Sequence, residues 1–457
     1  MMSEKTPPRG RHILVDLSGY VSPGEDEGEW MLQQIRDAVT ASPAREVHYH
    51  VETFDGHSTP RGFAAVVLID ESHVTAHCYS EEGLLAIDSF SCGQCDPQSI
   101  IDHLLGNLFE VIPTLEICSS EEVARFNTQS SADSEVVPVG VRQLLEQHYR
   151  HFNAGVLHDA AVSLSEFLDG DGRLLITLAG AMSTAEIGRS LAPMIRAGKI
   201  AAICTTGANL EEDVFNLVAF DHYMRIPNWR TLSAEDDEAL REEGYNRVTD
   251  TAIPEEQAIR KLEAPVLAAW KAAEASGESK FPHQFLYDIL LSGELADSYQ
   301  AQARNSWLLA AAEANIPIFT PGWEDSTLGN IFAARIIDGS LSRPGIVKGG
   351  IEAMLALAEW YRGDERPAGI LQVGGGIAGD FPICVVPMLR QDLGQDAELW
   401  SWFAQISEST ASYGGYSGAP PEEKISWGKL AVDTPKFVIE SDATIVLPLL
   451  FAAILDL

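Results

Sequence analysis

The sequence predicts an α/β chain: a small two-layer α+β domain followed by a larger domain built on a doubly wound, Rossmann-like parallel sheet. Three observations carry this. Apolar runs of strand length end in Gly or Thr and are each followed by helical spacing, the pattern of a parallel sheet buried on both faces. One polar, aperiodic stretch, TQSSADSEVVP (127–137), divides the chain. The 457 residues, 46% hydrophobic and 21% charged, supply enough apolar material for two cores.

The first domain is assigned to residues 1–127, the linker to 128–137 and the second domain to 138–457. In the first, HILVDL (12–17) and FAAVVLI (63–69) read as strands, and residues 31–39 carry helical spacing. Asp96-Pro97 opens a second helix, with the aspartate as N-cap and proline at the first helical position. Ile100, Leu104 and Leu108 then repeat at i, i+4, i+8. In the second domain the strand-like runs are LLITLAG (174–180), AAICTTG (201–207), PIFTPG (317–322), GILQVGGG (369–376) and FVIESDA (437–443). Ligands of such sheets bind at the C-terminal strand ends, where these small residues lie.

Acidic residues outnumber basic ones 67 to 31, for a net charge of −36. The excess is spread along the chain: 21 acidic against 7 basic in residues 1–130, and 46 against 24 in the rest. This argues against nucleic acid and anionic membranes as partners, since phosphate surfaces need a basic counterpart. It suits cationic ligands, and a salt-adapted surface accounts for it equally well. The longest uncharged apolar run, Ala443–Leu455, is interrupted by Pro448 and is too short to span a bilayer. No apolar segment of signal-peptide type opens the chain. Six cysteines without framework spacing fit a reducing, cytoplasmic setting.

The first chemical constellation lies in DESHVTAHCYSEEGLLAIDSFSCGQCDP (70–97). Ser72, His77 and Cys92 are candidates for one site. Strand alternation puts His73, Thr75 and His77 on one face and Ser72, Val74 and Ala76 on the other. Cys92 and Cys95 form a Cys-Gly-Gln-Cys pair, but no second pair follows, so no zinc site is assigned. His48 and His50 read as an exposed strand face, and no metal is expected.

Glu71-Ser72-His73-Val74-Thr75-Ala76-His77 and Ala86-Ile87-Asp88-Ser89-Phe90-Ser91-Cys92-Gly93, with RHILVDLSG (11–19) upstream, resemble the prokaryotic S-adenosylmethionine decarboxylase family. The resemblance implies a self-cleaving pyruvoyl enzyme. Ser72 would attack the Glu71 carbonyl, His77 would remove the proton that eliminates the ester, and a pyruvoyl group would remain at position 72. Its carbonyl would be the electron sink for decarboxylation, with Cys92 returning a proton as general acid. Where the family has Thr-Trp-Pro-Glu, this chain has Cys78-Tyr79-Ser80-Glu81. The resemblance implies adenosylmethionine as the default substrate, and this departure leaves ornithine or arginine open.

The second constellation closes the chain. In EEKISWGKLAVDTPKFVIESDATIVLPLL (422–450) a lysine follows tryptophan and glycine. Burial lowers a lysine pKa and frees the amine for imine chemistry. Ser-Trp-Gly-Lys (426–429), together with residues 180–184, 205–207, 211–213, 321–325, 374–376 and 441–443, resembles the deoxyhypusine synthase family over 138–457. By that resemblance Lys429 is the covalent lysine. Ser183, Thr206, Gly207, Asp325, Gly375, Asp442 and Ala443 would line an NAD site. Glu211, Glu212, Glu423, Trp427 and Lys429 would line the amine site. Assembly as a homo-oligomer, a tetramer, is also implied.

The departures lie on the amine side. The family's Lys-His-His run is Gly379-Asp380-Phe381 here, Asn330 replaces an aspartate, and Tyr413 and Tyr416 replace an acidic pair. Asp380 is a candidate replacement amine anchor. The expected function is a polyamine-biosynthesis fusion: a pyruvoyl decarboxylase joined to an NAD-dependent aminobutyl transferase acting on small amines such as putrescine or spermidine. Two alternatives stand beside it. One is a deoxyhypusine synthase acting on a protein lysine. The other is a transferase whose first domain is an inactive module binding a polyamine or adenosylmethionine.

Overall fold

The computed structural model describes residues 10–24, 26–57, 59–70, 72–93, 95–126, 140–411 and 414–457. Two compact units result, Met1–Val136 and Val137–Leu457. The expected linker, 128–137, lies outside the described residues.

The first unit is a six-stranded antiparallel sheet of β1 (Gly10–Ser18), β2 (Glu46–Phe54), β3 (Gly62–Ile69), β4 (Ser72–Tyr79), β5 (Leu84–Ser91) and β6 (Glu116–Arg125), in the order β2-β3-β4-β5-β1-β6. Alternation decides which face is covered. Ile13, Val15, Phe63, Val67, Val74, Ala76 and Ile87 point one way and are buried. They pack on helix α1 (Glu27–Thr40), through Met31 and Ile35, and on α2 (Pro97–Val111), through Ile100, Leu104 and Leu108. Asp96 caps α2 as expected, accepting from the Gln98 amide at 3.0 Å. The opposite face carries His12, Leu14, His73, Thr75, His77 and Asp88, and no helix among the described residues of this unit packs on it.

The second unit is built on a six-stranded parallel sheet. Its strands are β7 (Arg173–Leu178), β8 (Ala202–Thr205), β12 (Ile318–Phe319), β13 (Ala368–Val373), β14 (Trp402–Ile406) and β15 (Lys436–Ile439). Between β8 and β12 in the chain, β9 (Met224–Arg225), β10 (Tyr245–Val248) and β11 (Thr251–Pro254) form a small antiparallel sheet. The large sheet runs β12-β8-β7-β13-β14-β15, so strand order reverses between β7 and β13. Both faces are covered: Leu174, Ile176 and Leu178 of β7 enter one core, and Leu175 enters the other. Ligand crevices of such sheets open outside the strand ends at the reversal point. Among the described residues no helix is long and apolar enough to cross a membrane.

Candidate functional site

Ser72 opens β4 and pairs across the ladder with Ser91, so Cys92, the next residue, lies beside it. Both are partly exposed. His77 is not brought to them. It pairs with Ala86 five residues further along β4, about 17 Å at strand rise, and faces the opposite side of the sheet. Within one chain its imidazole therefore does not stand beside residue 72, where it was expected to remove the proton that eliminates the ester. Glu71 lies outside the described residues. Cys95 is buried, with its thiol donating to Ser42 Oγ at 3.7 Å.

The same sheet carries a cluster that the sequence reading missed. Asp88 accepts from His12 Nε2 at 2.9 Å and from the Thr75 hydroxyl, and it lies 3.3 Å from His73 Nε2. Burial works to raise the Asp88 carboxyl, but hydrogen bonds from His73, Thr75 and His12 outweigh it and hold it at about 2. His12, His73 and Asp88 offer ligand atoms within 4.8 Å of one another, yet the carboxylate is already satisfied by its neighbours.

In the second unit Ser-Trp-Gly-Lys is a helix terminus. The helix Pro421–Ser426 ends with Gly428 at φ +67, where an L side chain would be strained. Gly428 N–H donates to Ile425 O, and Lys429 N–H to Lys424 O, both at 2.9 Å, a Schellman closure. This turn sends the Lys429 side chain into a cavity of about 340 Å³ lined by Asp380, Tyr416, Glu423, Lys424, Trp427 and, beside them, Cys384. Lys429 is 6% exposed, and its Nζ donates to Asp380 Oδ1 at 3.1 Å. It stands 5.5 Å from the Tyr416 ring centre and 5.9 Å from that of Trp427.

Asp380 is delivered by the helix Gly376–Ile383, which follows β13 through Gly374-Gly375-Gly376. A Cβ on Gly375 would stand 2.1 Å from Ser417 Oγ, so only glycine lets the loop around 414–419 approach. Buried amides pin that loop. Gln372 of β13 donates to Tyr416 Oη at 2.6 Å and to Gly379 O at 2.8 Å, and Gln405 of β14 donates to Ser417 O. Cys384 Sγ lies 3.4 Å from Asp380 Oδ1, and burial pushes its thiol up against the opposing charge of Lys429. Gln372, Gln405, Cys384 and Lys424 were not read from the sequence. Tyr413 lies outside the described residues.

The acidic trio on the helix Gly207–Ala219 divides its duties. Glu211 accepts from the amides of Thr327 and Leu328 at 2.8 and 2.6 Å, capping the helix Thr327–Ile337. Asp213 accepts from Ser306 Oγ and from the amides of Trp307 and Leu308, capping Trp307–Glu313. Only Glu212 keeps an oxygen, Oε2, without a partner. Burial raises Glu211, and raises Glu212 to about 7. Neither glutamate lines the Lys429 cavity of its own chain, so of the expected amine-site residues that cavity unites Asp380, Glu423, Trp427 and Lys429.

The residues expected at the dinucleotide all follow C-terminal strand ends. Thr206 caps the helix Gly207–Ala219 and donates to Gly180 O at 2.8 Å, tying the loops after β7 and β8. Gly375 follows β13, Asp325 is exposed after β12, and Asp442 caps Ala443–Leu455 after β15. Ser183 is committed elsewhere: its hydroxyl donates to Asn209 O and accepts from Trp307 Nε1. A cavity of about 820 Å³ opens here, lined by Gly180, Thr184, Tyr223, Arg230, Asp442 and Thr444 among others. Thr184 Oγ1 and Tyr223 Oη are buried without hydrogen-bond partners, which leaves polar atoms for a ligand to satisfy.

The deoxyhypusine synthase family model matches residues 143–454, more than half of the chain. The chain belongs to the deoxyhypusine synthase family. The S-adenosylmethionine decarboxylase model matches residues 11–110. A deoxyhypusine synthase-like protein of Nostoc sp. (strain PCC 7120 / SAG 25.82 / UTEX 2576) is 31% identical over 331 residues, 70% of this chain and 82% of its own. Probable deoxyhypusine synthase 1 of Archaeoglobus fulgidus is 28% identical over 305 residues, 67% and 90%. Among solved structures, the adenosylmethionine decarboxylase from Aquifex aeolicus VF5 is 24% identical, covering 28% of this chain and all of its own, with a TM-score of 0.23. The chain is thus a polyamine-related fusion of two domains from enzymatic families, a deoxyhypusine synthase domain preceded by a decarboxylase-like one.

Proposed function

We propose that the chain is a bifunctional polyamine enzyme: a self-processing pyruvoyl decarboxylase joined to an NAD-dependent aminobutyl transferase whose acceptor is a small amine. The observation that carries the transferase reading is the pairing of Lys429 with Asp380 in a cavity that also holds Glu423 and the aromatic faces of Tyr416 and Trp427. Carboxylates and ring faces together suit a cationic amine.

The 820 Å³ cavity with its unpartnered Thr184 and Tyr223 hydroxyls fits a dinucleotide. Of the residues expected at the dinucleotide, Asp442 lines this cavity, and Arg230, exposed at its rim, suits a pyrophosphate. When bound, NAD supplies hydride removal from the donor amine and hydride return to the product. The protein's own residues do the rest. Asp380 and Glu423 hold the ammonium ends. Lys429, once neutral, attacks the iminium carbon of the oxidised donor; the leaving amine departs with its electron pair and a proton, and the aminobutyl group is held on Nζ. The acceptor amine attacks the same carbon and releases Lys429. With few carboxylates in the cavity, a diamine such as putrescine is the favoured acceptor over a protein lysine.

For the first domain, adjacent Ser72 and Cys92 fit a pyruvoyl group at position 72 with a thiol beside it. The pyruvoyl carbonyl supplies the electron sink, and Cys92 delivers a proton to the product carbon. His77 faces away from Ser72, so in this reading it serves the Ser72 of a second copy packed on the uncovered sheet face. The test incubates the purified full chain separately with adenosylmethionine, ornithine and arginine, and with putrescine or spermidine plus NAD, and identifies products by mass. Aminobutylated diamine and a decarboxylated product support both halves. Label transfer only to a protein lysine overturns the small-amine reading.

A further inference from the structure

Residues 223–254, which carry β9, β10 and β11, have no part in the transfer scheme, yet they help to line the cavity of about 820 Å³. The ends of the parallel strands give that cavity Thr184 and Asp442, and the inserted segment gives it Tyr223, Trp229, Arg230 and the turn between β10 and β11. Two of these side chains form a flat pair. The Arg230 guanidinium stands over the Trp229 indole, 4.3 Å from the ring centre. Trp229 is half-buried and Arg230 is exposed. Among the described residues no carboxylate lies within 4.0 Å of Arg230, although acidic residues outnumber basic ones 67 to 31 and Arg225, close by in the chain, is held by Asp250 at 3.3 Å. A guanidinium without an acid partner at a cavity rim suits an anion, and an indole beside it suits a flat ring.

The loop that carries the pair is pinned. Ile226 N–H donates to Asp250 O at 2.6 Å, Trp229 N–H donates to Ile226 O at 3.2 Å, and the Thr231 hydroxyl donates to Asn228 O at 2.9 Å. Asp250 follows Thr249, whose φ of +54 strains a β-branched residue. Arg247 donates to Thr249 O at 2.8 Å and secures that turn. A rigid aromatic in a fixed loop loses little freedom when a ligand settles on it.

We propose that Trp229 and Arg230 hold the adenosine end of the dinucleotide, the indole stacking on the base and the guanidinium taking the adjoining phosphate. This rests on the reading of the cavity as a dinucleotide site. Exposure decides which end lies here. Hydride transfer needs a site that excludes water, and the buried hydroxyls without partners, Thr184 Oγ1 and Tyr223 Oη, mark the enclosed part of the cavity. Adenine does no chemistry, so it tolerates a rim where Arg230 meets solvent, and it offers an aromatic neighbour its whole π face. A polyamine is the wrong occupant for this rim, because Arg230 has no acid to offset its charge.

The test is equilibrium binding, with no turnover. Full-length wild type, Trp229→Ala, Trp229→Phe and Arg230→Met, freed of nucleotide, are titrated calorimetrically with NAD, ADP-ribose and nicotinamide mononucleotide. Trp229→Ala should weaken NAD and ADP-ribose about tenfold and leave nicotinamide mononucleotide unchanged. Trp229→Phe, which keeps an aromatic face, should stay within about threefold of wild type. Arg230→Met should weaken NAD and ADP-ribose and leave the mononucleotide unchanged. Undiminished ADP-ribose binding in Trp229→Ala or Arg230→Met would overturn the proposal. So would equal losses in Trp229→Ala and Trp229→Phe, or a matching loss for the mononucleotide. If wild type binds neither NAD nor ADP-ribose, the dinucleotide reading itself fails. If wild type binds both and the variants bind them as well, only the assignment of Trp229 and Arg230 fails.

Discussion

Gln372 donates to the Tyr416 hydroxyl at 2.6 Å from the middle of the parallel sheet, and so fixes the ring that Lys429 faces. The strand next to the reversal point thereby sets the geometry of a loop more than forty residues further along. Tyr416→Phe removes that bond but leaves the ring. It should cost about 1 kcal/mol of stability and change transfer only a few-fold. Tyr416→Ala removes the ring as well, and should weaken amine binding by about 1–2 kcal/mol, roughly five- to thirty-fold in KM. Urea denaturation and steady-state kinetics on both variants separate the two roles; equal kinetic losses would mean that the hydroxyl, not the ring, matters.

Lys429→Arg keeps a cation beside Asp380 but cannot form the aminobutyl intermediate. Borohydride trapping with NAD and spermidine should add an aminobutyl mass to the peptide containing Lys429 in wild type, and none in the variant. Transfer that survives Lys429→Arg would remove this lysine from the mechanism.

Ser72→Ala should abolish chain cleavage. Wild type is expected to run as fragments of 71 and 386 residues on a denaturing gel, and the variant as a single 457-residue band. Cys92→Ala should still cleave but lose decarboxylation, because its thiol is needed only after the carbonyl exists. An intact wild-type band would favour a binding module over an enzyme.

The parallel sheet was legible because its apolar runs end in small residues that punctuate them, as at Ala202–Thr205 and Ala368–Val373. β14 was not legible: Trp402–Ile406 is as buried as its neighbours but is followed by no Gly or Thr turn. β6 was hidden for another reason. All ten of its residues are exposed, and it is held by backbone pairing to β1, so it has no hydrophobic pattern to read. At the site, Asp380 could be named because a family position had changed, whereas Lys424 reads as one charge among others in PEEKIS. Only closure of Tyr416 and Phe403 over it makes it a buried cation. The alternation of β4 already put Ser72 and His77 on opposite faces, and the rise of five residues along the strand adds to their separation.

Glu212 supplies a pH signature. Burial raises it to about 7, above the ~4.3 of a free glutamate. Between those values the folded chain keeps a proton that the unfolded chain has lost. Stability therefore falls as pH rises from about 4 to about 7 and is level above. Glu212→Gln removes this dependence and should be more stable than wild type at pH 8, by on the order of 3–4 kcal/mol, with little difference near pH 4. Denaturation midpoints at the two pH values, at fixed ionic strength, measure it. An ammonium bound at the unpartnered Oε2 would stabilise the charged form, so spermidine should raise the wild-type melting temperature at pH 8 more than that of Glu212→Gln. Equal shifts in both proteins would show that this carboxyl holds no amine, and would leave Asp380 and Glu423 as the cation anchors of the cavity.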